Sequence, residues 1–507
     1  MAEEPKETRK TQETDANSPE GGFGGRGTTD FTVGNIPRHL VFFSIPMLLG
    51  NLLQSMYNVV NGIWVGRFLG PDALGAVSVA FPIVFALISL IMGITMATTV
   101  LVSQFYGARR TDMVRKTINN SLLILIGTGL VISVSGVFLA HPLLRLIDTP
   151  AELMADATGY LQVFLGGMVF MFGYNVFGAI LRGLGDSRTP LLFLVWGTAI
   201  NAVLDPLFIF GLGPIPRMGV RGAALAAVLA QAISTYLAVR YLQRLKHVVH
   251  LNFKELAFDW NLTKLTVKIG LPAGIQQIAV SLGGLVVMSI INGFGAIVAA
   301  GYGAAIRIDS FAFMPAMSIG LSVSALVGQN LGAGKEARVR EVVFWSLVIG
   351  CGVSLLLSVL IYLLPHVLLA IFTNDPDLIK VGSGYLRIAA FSYVPFAVMF
   401  ALSGVMRGAG DTMPVMLISL ATLWVVRIPT AEFLSRLPAF GVTGVWIAIA
   451  ASPTLGSLLT WGYYATGRWK RMVAARRGMR GGTGAAPGPA PDAATVAGTA
   501  GDSDLAR

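Results

Sequence analysis

The chain has 507 residues, 54% of them hydrophobic and only 12% charged, with a mean hydropathy of +0.70 and a net charge of +11. Soluble proteins carry about 25% charged residues, so a soluble enzyme of this length would lack the charge to cover its surface. The apolar surplus belongs in lipid, and an all-α integral membrane protein is expected. The positive balance suits cytoplasmic loops and anionic headgroups, so the lipid bilayer is the expected partner and nucleic acid is not.

Residues 1–35 are mixed in charge and lack the short apolar core of a cleavable signal; a disordered cytoplasmic tail is expected. Crossing a bilayer takes about 20 apolar residues. Candidate spans lie near 40–66, 74–102, 118–140, 160–181, 190–212 and 221–242, forming one lobe over 36–245. A polar linker over 246–263 follows. Six more spans lie near 268–292, 297–327, 342–364, 384–406, 413–434 and 443–465, a second lobe over 264–467. Beyond it, 468–507 begins basic and becomes Gly/Ala/Pro-rich, a composition that buries no core. Lys and Arg gather after the even-numbered spans, as at Arg109, Arg110, Arg115, Lys116 and at Lys335, Arg338, Arg340. That bias places both termini in the cytoplasm of a protein in the cytoplasmic membrane.

The two halves repeat. IPMLLGNLLQS from Ile45 is echoed by LPAGIQQIAVS from Leu271, SQFYGARR from Ser103 by GQNLGAGK from Gly328, RGLGDSRTP from Arg182 by RGAGDTMP from Arg407, and GVRGAALA from Gly219 by GVTGVWIA from Gly441. Each copy holds six spans, an even number, so both enter the membrane the same way. Parallel repeats are a transporter architecture with the substrate site near the midplane between lobes.

Charges inside the spans are costly, about 2.5–3.5 kcal/mol or more each, and so mark function. Asp205 lies in NAVLDPLFIF of the fifth span, with Asn201 one turn before it on the same face. Pro206 follows and frees a backbone carbonyl one turn back. Two readings fit: a carboxylate that binds and releases a proton or cation, and a structural carboxyl at a broken helix. Gln54, Asn58 and Asn61 form a polar stripe in the first span, with Tyr57 beside it; cavity lining and interhelical hydrogen bonding both suit it. Arg307 and Asp309 in the eighth span are two residues apart, about 200° around a helix, and do not face each other. Met288 and Met317 are among the methionines of the second half, whose soft side chains suit adaptable binding or ordinary packing.

Little else carries chemistry. The single cysteine, Cys351, excludes a disulfide framework, a cysteine zinc site and an iron–sulfur cluster. His247 and His250 share a face without a third ligand, so no metal site is expected. No Walker A, HExxH or GxSxG segment is present. The chain therefore reads as a non-enzyme whose transport draws on an ion gradient.

From about 36 to 467 the chain resembles bacterial MATE (multidrug and toxic compound extrusion) transporters, on IPMLLGNLLQSMYNVVNGIWVGRFLG, SQFYGARR, LRGLGDSRTP, NAVLDPLFIFG, RIDSFAFMP and VGQNLGAGK. The resemblance implies a V-shaped pair of six-helix lobes and an antiporter that expels cationic drugs in exchange for protons, or for sodium. It implies a cation-coupling site in the first lobe, with Asn201, Asp205 and Gln54 matching family positions, and Tyr160 and Asn175 as matching cavity positions. Asn61 stands where many members have Asp, which leaves Asp205 the lone carboxylate there and makes sodium harder to hold. The NorM-type branch carries acids in its seventh and tenth helices; here those stretches, AGIQQIAVSLGG and FSYVPFAVMFALSG, have none, so no second-lobe cation site is expected. The substrate cavity is expected to include Asn58, Tyr57, Tyr160, Asn175, Arg307, Asp309, Met288 and Met317. No cofactor is expected, and the protein is expected to act as a monomer on small cationic molecules. The alternative is a flippase or exporter of a lipid-linked or polar metabolite, against which the scarcity of interior basic residues weighs. A membrane-embedded enzyme lacks its clustered catalytic groups, and a major-facilitator transporter lacks its basic loop motif in YGARRTDMVRK.

Overall fold

The computed structural model describes residues 28–211, 216–244, 257–470 and 472. Its helices are α1 (Ile36–Phe68), α2 (Pro71–Gly107), α3 (Thr111–Leu146), α4 (Ala151–Gly166), α5 (Met168–Gly183), α6 (Arg188–Phe210), α7 (Val220–Arg244), α8 (Trp260–Asn292), α9 (Ala296–Gly332), α10 (Glu336–Leu363), α11 (Pro365–Ala370), α12 (Pro376–Ala389), α13 (Tyr393–Ala409), α14 (Met413–Leu420), α15 (Ile428–Ser435) and α16 (Val442–Ala465). A 3₁₀ turn joins α12 to α13, and a π-helical turn over Ala421–Arg427 joins α14 to α15. Eleven stretches are long and apolar enough to span a membrane, and α4 with α5, bent by 47°, makes a twelfth. All twelve expected spans are found. Closed helices are what lipid permits, because every backbone group finds its partner within the segment. The bend falls at Gly167, where a Cβ would lie 2.2 Å from Val228 Cγ1; only glycine lets the helices pass that closely.

Two expected boundaries move. The tail expected as disordered through residue 35 is packed from Thr28, with Phe31 buried at 1% exposure among apolar residues of α1, α9 and α10. The linker expected over 246–263 yields its last four residues to α8, which starts at Trp260 because Asp259 caps it, accepting from the backbone N–H groups of Asn261 and Leu262. The histidine pair, His247 and His250, lies outside the described residues.

The repeated motifs are turn and contact devices. In RGLGD and RGAGD, Gly185 and Gly410 take left-handed φ values of 85° and 82°. Asp186 N and Asp411 N each donate back to the helix end, to Leu181 O and Met406 O at 2.8 Å, closing a Schellman motif that demands glycine. The Asp186 carboxylate then accepts from Arg188 N and Thr189 N at 3.0 Å and so starts α6; burial pushes its pKa up, opposed by those hydrogen bonds. Asp411 accepts from Tyr463 Oη on α16 at 2.7 Å. In SQFYGARR and GQNLGAGK the glutamines cross between lobes. Gln104 Nε2 donates to Gly408 O at 2.6 Å, and Gln329 Nε2 donates to Gly183 O at 3.2 Å. Each glutamine of one motif thus binds the glycine carbonyl of the other lobe's RGxGD motif.

The helices that carry these glutamines, α2 and α9, cross with almost no space between them. A Cβ on Gly107 would lie 1.9 Å from Gln329 O, and one on Gly332 would lie 1.9 Å from Gln104 O. Further along α2, a Cβ on Gly93 would lie 2.3 Å from Gly270 O of α8. On the matching side of the second lobe, Ser44 of α1 donates to Ser322 of α9 at 2.8 Å and Asn51 donates to Ser318 at 3.2 Å. Small residues and short polar side chains are what bring membrane helices into close contact. All these contacts lie in the half of the bundle that carries the chain's described ends, so the lobes are sealed together there.

Valine at Gly107 or at Gly332 forces that crossing apart and is expected to cost about 1–3 kcal/mol or more, whereas Gly62→Ala, with open space around it, changes little. Thermal unfolding of the purified variants checks this. Equal midpoints for all three would contradict the crossing.

Candidate functional site

Asp205 sits near the far end of α6 at 0% exposure. The helix runs on through Pro206, whose missing N–H leaves the Ala202 carbonyl without its usual partner. Asn201 Nδ2 donates to Asp205 Oδ1 at 3.2 Å, and Oδ2 has no partner among the described residues. None of the ion pairs among those residues reaches it: they join Arg110 to Asp112, Arg436 to Glu432 and Lys470 to Glu336. Other buried oxygens of this lobe without a partner among the described residues include Asn61 Oδ1 on α1, Thr198 Oγ1 on α6 and Gln231 Oε1 on α7. Thr198, Asn201 and Asp205 follow i, i+3, i+7 spacing and share a face. The sequence reading passed over Thr198, although its spacing from Asp205 was the available signal.

Around this carboxyl the structure gathers several expected residues. Tyr57 on α1 and Tyr160 on α4 both lie within its electrostatic reach, and Tyr160 stacks on Phe164 at 5.9 Å. Asn61 turns inward, while Gln54 and Asn58 of the same stripe are exposed. Asn175 returns its amide to Met171 O of its own helix at 2.8 Å. The first-lobe set is therefore Asp205, Asn201 and Thr198 on α6, bordered by Asn61 and Tyr57 from α1 and by Tyr160.

Among the expected second-lobe cavity residues, Asp309 points into the lobe. It is 2% exposed and accepts hydrogen bonds from Tyr385 Oη and Tyr393 Oη inside the lobe's aromatic core. Tyr302 stacks on Trp446 at 5.3 Å in the same core, and Arg427 donates from Nε to Ser452 Oγ at 2.6 Å. The two-residue spacing explains the difference, since it turns Asp309 into the lobe and Arg307 out of it. Arg307 is exposed, its guanidinium 5.9 Å from the Phe372 ring centre. Met288 is half-buried against the aromatic core, and Met317 is exposed at 40%.

A carboxyl that lacks a cation partner in such a setting carries a proton or meets a cationic ligand, because a bare buried charge is costly. Asp205 meets this description with one oxygen open. Asp309 does not share its openness, since both its oxygens are taken.

The MatE family profile matches residues 46–207 and 272–432, one stretch in each lobe. The chain is 36% identical to the "Probable multidrug resistance protein YpnP" of Bacillus subtilis, an alignment that spans 87% of this chain and 98% of that protein. It is 28% identical to the "Probable multidrug resistance protein NorM" of Thermotoga maritima over 88% of this chain and 96% of that one. In fold it is similar to the outward-facing conformation of a multidrug resistance MATE family transporter, with a TM-score of 0.79 and 24% identity over 89% of this chain and 98% of that one.

Removing the Asp309 carboxyl strands two buried tyrosine hydroxyls, and Asp309→Ala is expected to lose about 1–3 kcal/mol for each group left unsatisfied. Arg307→Ala, at an exposed position, should stay within about 0.5 kcal/mol of the parent. Matched thermal melts would show the contrast, and similar losses for both would contradict the placement of Asp309. With its twelve spans, its two sealed lobes and the profile matched in both of them, the chain belongs to the MATE family of membrane transporters.

Proposed function

We propose that this protein is a secondary antiporter that exports cationic drugs in exchange for protons by alternating access. The observation that carries the reading is Asp205, fully buried, held by one amide and open at its second oxygen. A proton and a cationic molecule neutralise the same carboxylate, so occupancy by one opposes occupancy by the other. That competition is the simplest physical basis for antiport. The relatives described as multidrug resistance proteins support drugs as the substrate class.

Protons are favoured over sodium by the residues present. Asn61, in the place of a second carboxylate, offers a neutral oxygen, and Asp205 is the only acid of the first-lobe set. A lone carboxyl accepts a proton with no further ligand. A sodium ion needs several oxygens and gains from more negative charge. In this reading the sealed end of the bundle faces the cytoplasm, as the Lys and Arg bias of its loops supports, and the structure is the state closed to that side.

Purified protein in proteoliposomes, with efflux of a fluorescent cationic dye followed under a pH gradient and then under a sodium gradient, tests this function. The pH gradient should drive efflux, and Asp205→Asn should reduce it to the level of empty vesicles while the protein remains inserted. Full efflux by that variant would remove Asp205 from coupling. In the same assay Asn61→Asp should raise dependence on sodium; an unchanged ion preference would contradict the role given to Asn61.

A further inference from the structure

The residues just before the first span are held by the opposite lobe. Phe31 lies at 1% exposure between the rings of Phe43, 5.1 Å away, and His39, 5.5 Å away. Its backbone N–H donates to Gln329 Oε1 at 2.9 Å, and its carbonyl accepts from Asn330 Nδ2 at 3.2 Å and from Arg338 Nη2 at 3.3 Å. Arg338 Nη2 also donates to Gly34 O at 3.0 Å, and Lys335 Nζ donates to Thr32 O at 2.8 Å. The side chains that hydrogen-bond the segment here, Gln329, Asn330, Lys335 and Arg338, belong to α9, α10 and the turn between them, in the second lobe, while the rings of His39 and Phe43 belong to α1. The segment itself runs straight into α1 of the first lobe. It also lies on the first lobe's own turn, since a Cβ on Gly185 would sit 2.3 Å from Thr29 O.

Gln329 serves both contacts. Its Nε2 reaches across to Gly183 O while its Oε1 takes the Phe31 N–H, so the interlobe seal and the segment share one side chain. Cationic donors on carbonyls are among the stronger hydrogen bonds, and two of the four second-lobe side chains here are cationic. Opening this end requires α1 to part from α9, which the bonded segment opposes.

From this arrangement we propose that residues 28–34 form a strap that holds the lobes together at this end and must leave Gln329, Asn330, Lys335 and Arg338 before the end opens. The strap thereby sets the ratio between the closed and open states. The proposal rests on the alternating-access reading above. It predicts that a change confined to the strap or its grip shifts conformational populations without touching the Asp205 site.

Spin labels at Lys116→Cys on α3 and Glu341→Cys on α10, in a Cys351→Ser background in nanodiscs, report the separation of the two lobes at this end. Two distance populations whose ratio responds to pH or dye are expected for the parent. Deleting residues 2–34, and separately the pair Lys335→Ala with Arg338→Ala, should each raise the long-distance population several-fold. Arg340→Ala, a basic residue of α10 outside the grip, should leave it unchanged. If the deletion variant fails to fold, the paired substitution decides. Unchanged populations in that pair, or an equal shift from Arg340→Ala, overturn the strap while leaving alternating access standing. A single distance in the parent at every pH and with dye overturns alternating access, and the strap with it.

Discussion

The exchange of hydrogen bonds between Gln104 and Gly408 and between Gln329 and Gly183 is the constraint on which the rest of the molecule depends. It exists because two copies of one sequence pattern face each other across a pseudo-twofold axis, so that each glutamine meets the other copy's glycine carbonyl. The glycines below it, Gly107 and Gly332, have no room for a side chain. They bring α2 and α9 close enough for a short amide to reach across. The same small-residue logic continues at Gly93 and Gly270 and at Ser44 and Ser322. The seal combines these hydrogen bonds and backbone contacts with apolar packing, as Ile36, Leu40 and Phe43 of α1 pack with Val323, Val327 and Leu331 of α9, and Ala97 and Leu101 of α2 with Ile269 of α8.

The seal and the buried carboxyl lie apart along the bundle. Asp205 lies near the end of α6 remote from the crossing, on a face where a threonine, an asparagine and an inward-turned Asn61 supply neutral oxygens but no cation. In the second lobe the buried carboxyl of α9 is enclosed. Asp309 is enclosed by tyrosines, and Tyr302 and Trp446 close the space beside it. Repetition preserved the turn chemistry as well as the fold: Asp186 accepts from Tyr241 Oη of the first lobe's last span at 3.5 Å, as Asp411 accepts from Tyr463 Oη of the second lobe's last span at 2.7 Å.

How far the sequence could be read follows from range. The spans were legible because lipid imposes one length and one polarity on each of them, and the four repeated motifs were legible because each is continuous. Asn201 with Asp205 was legible as one helical turn. The purpose of the motifs was not, since the partner of Gln104 lies more than three hundred positions away in the chain. Which way Asp309 turned depended on how α9 is rotated against α12 and α13, and no local pattern records that rotation. Residues 28–34 read as tail because they are short and polar; what holds them is a set of backbone carbonyls, which every sequence has, meeting Lys335 and Arg338 of another lobe. Thr198 was in reach of spacing alone but carried no charge to draw attention to it.

The central claim is that drug and proton compete for the Asp205 carboxyl. It is tested most directly by adding a cationic dye to the purified protein in weakly buffered solution and following pH, with dye binding measured in parallel. The account predicts that the parent releases protons as the dye binds and that Asp205→Asn releases none at matched occupancy. Equal release from both proteins would contradict it and move the coupling away from this carboxyl.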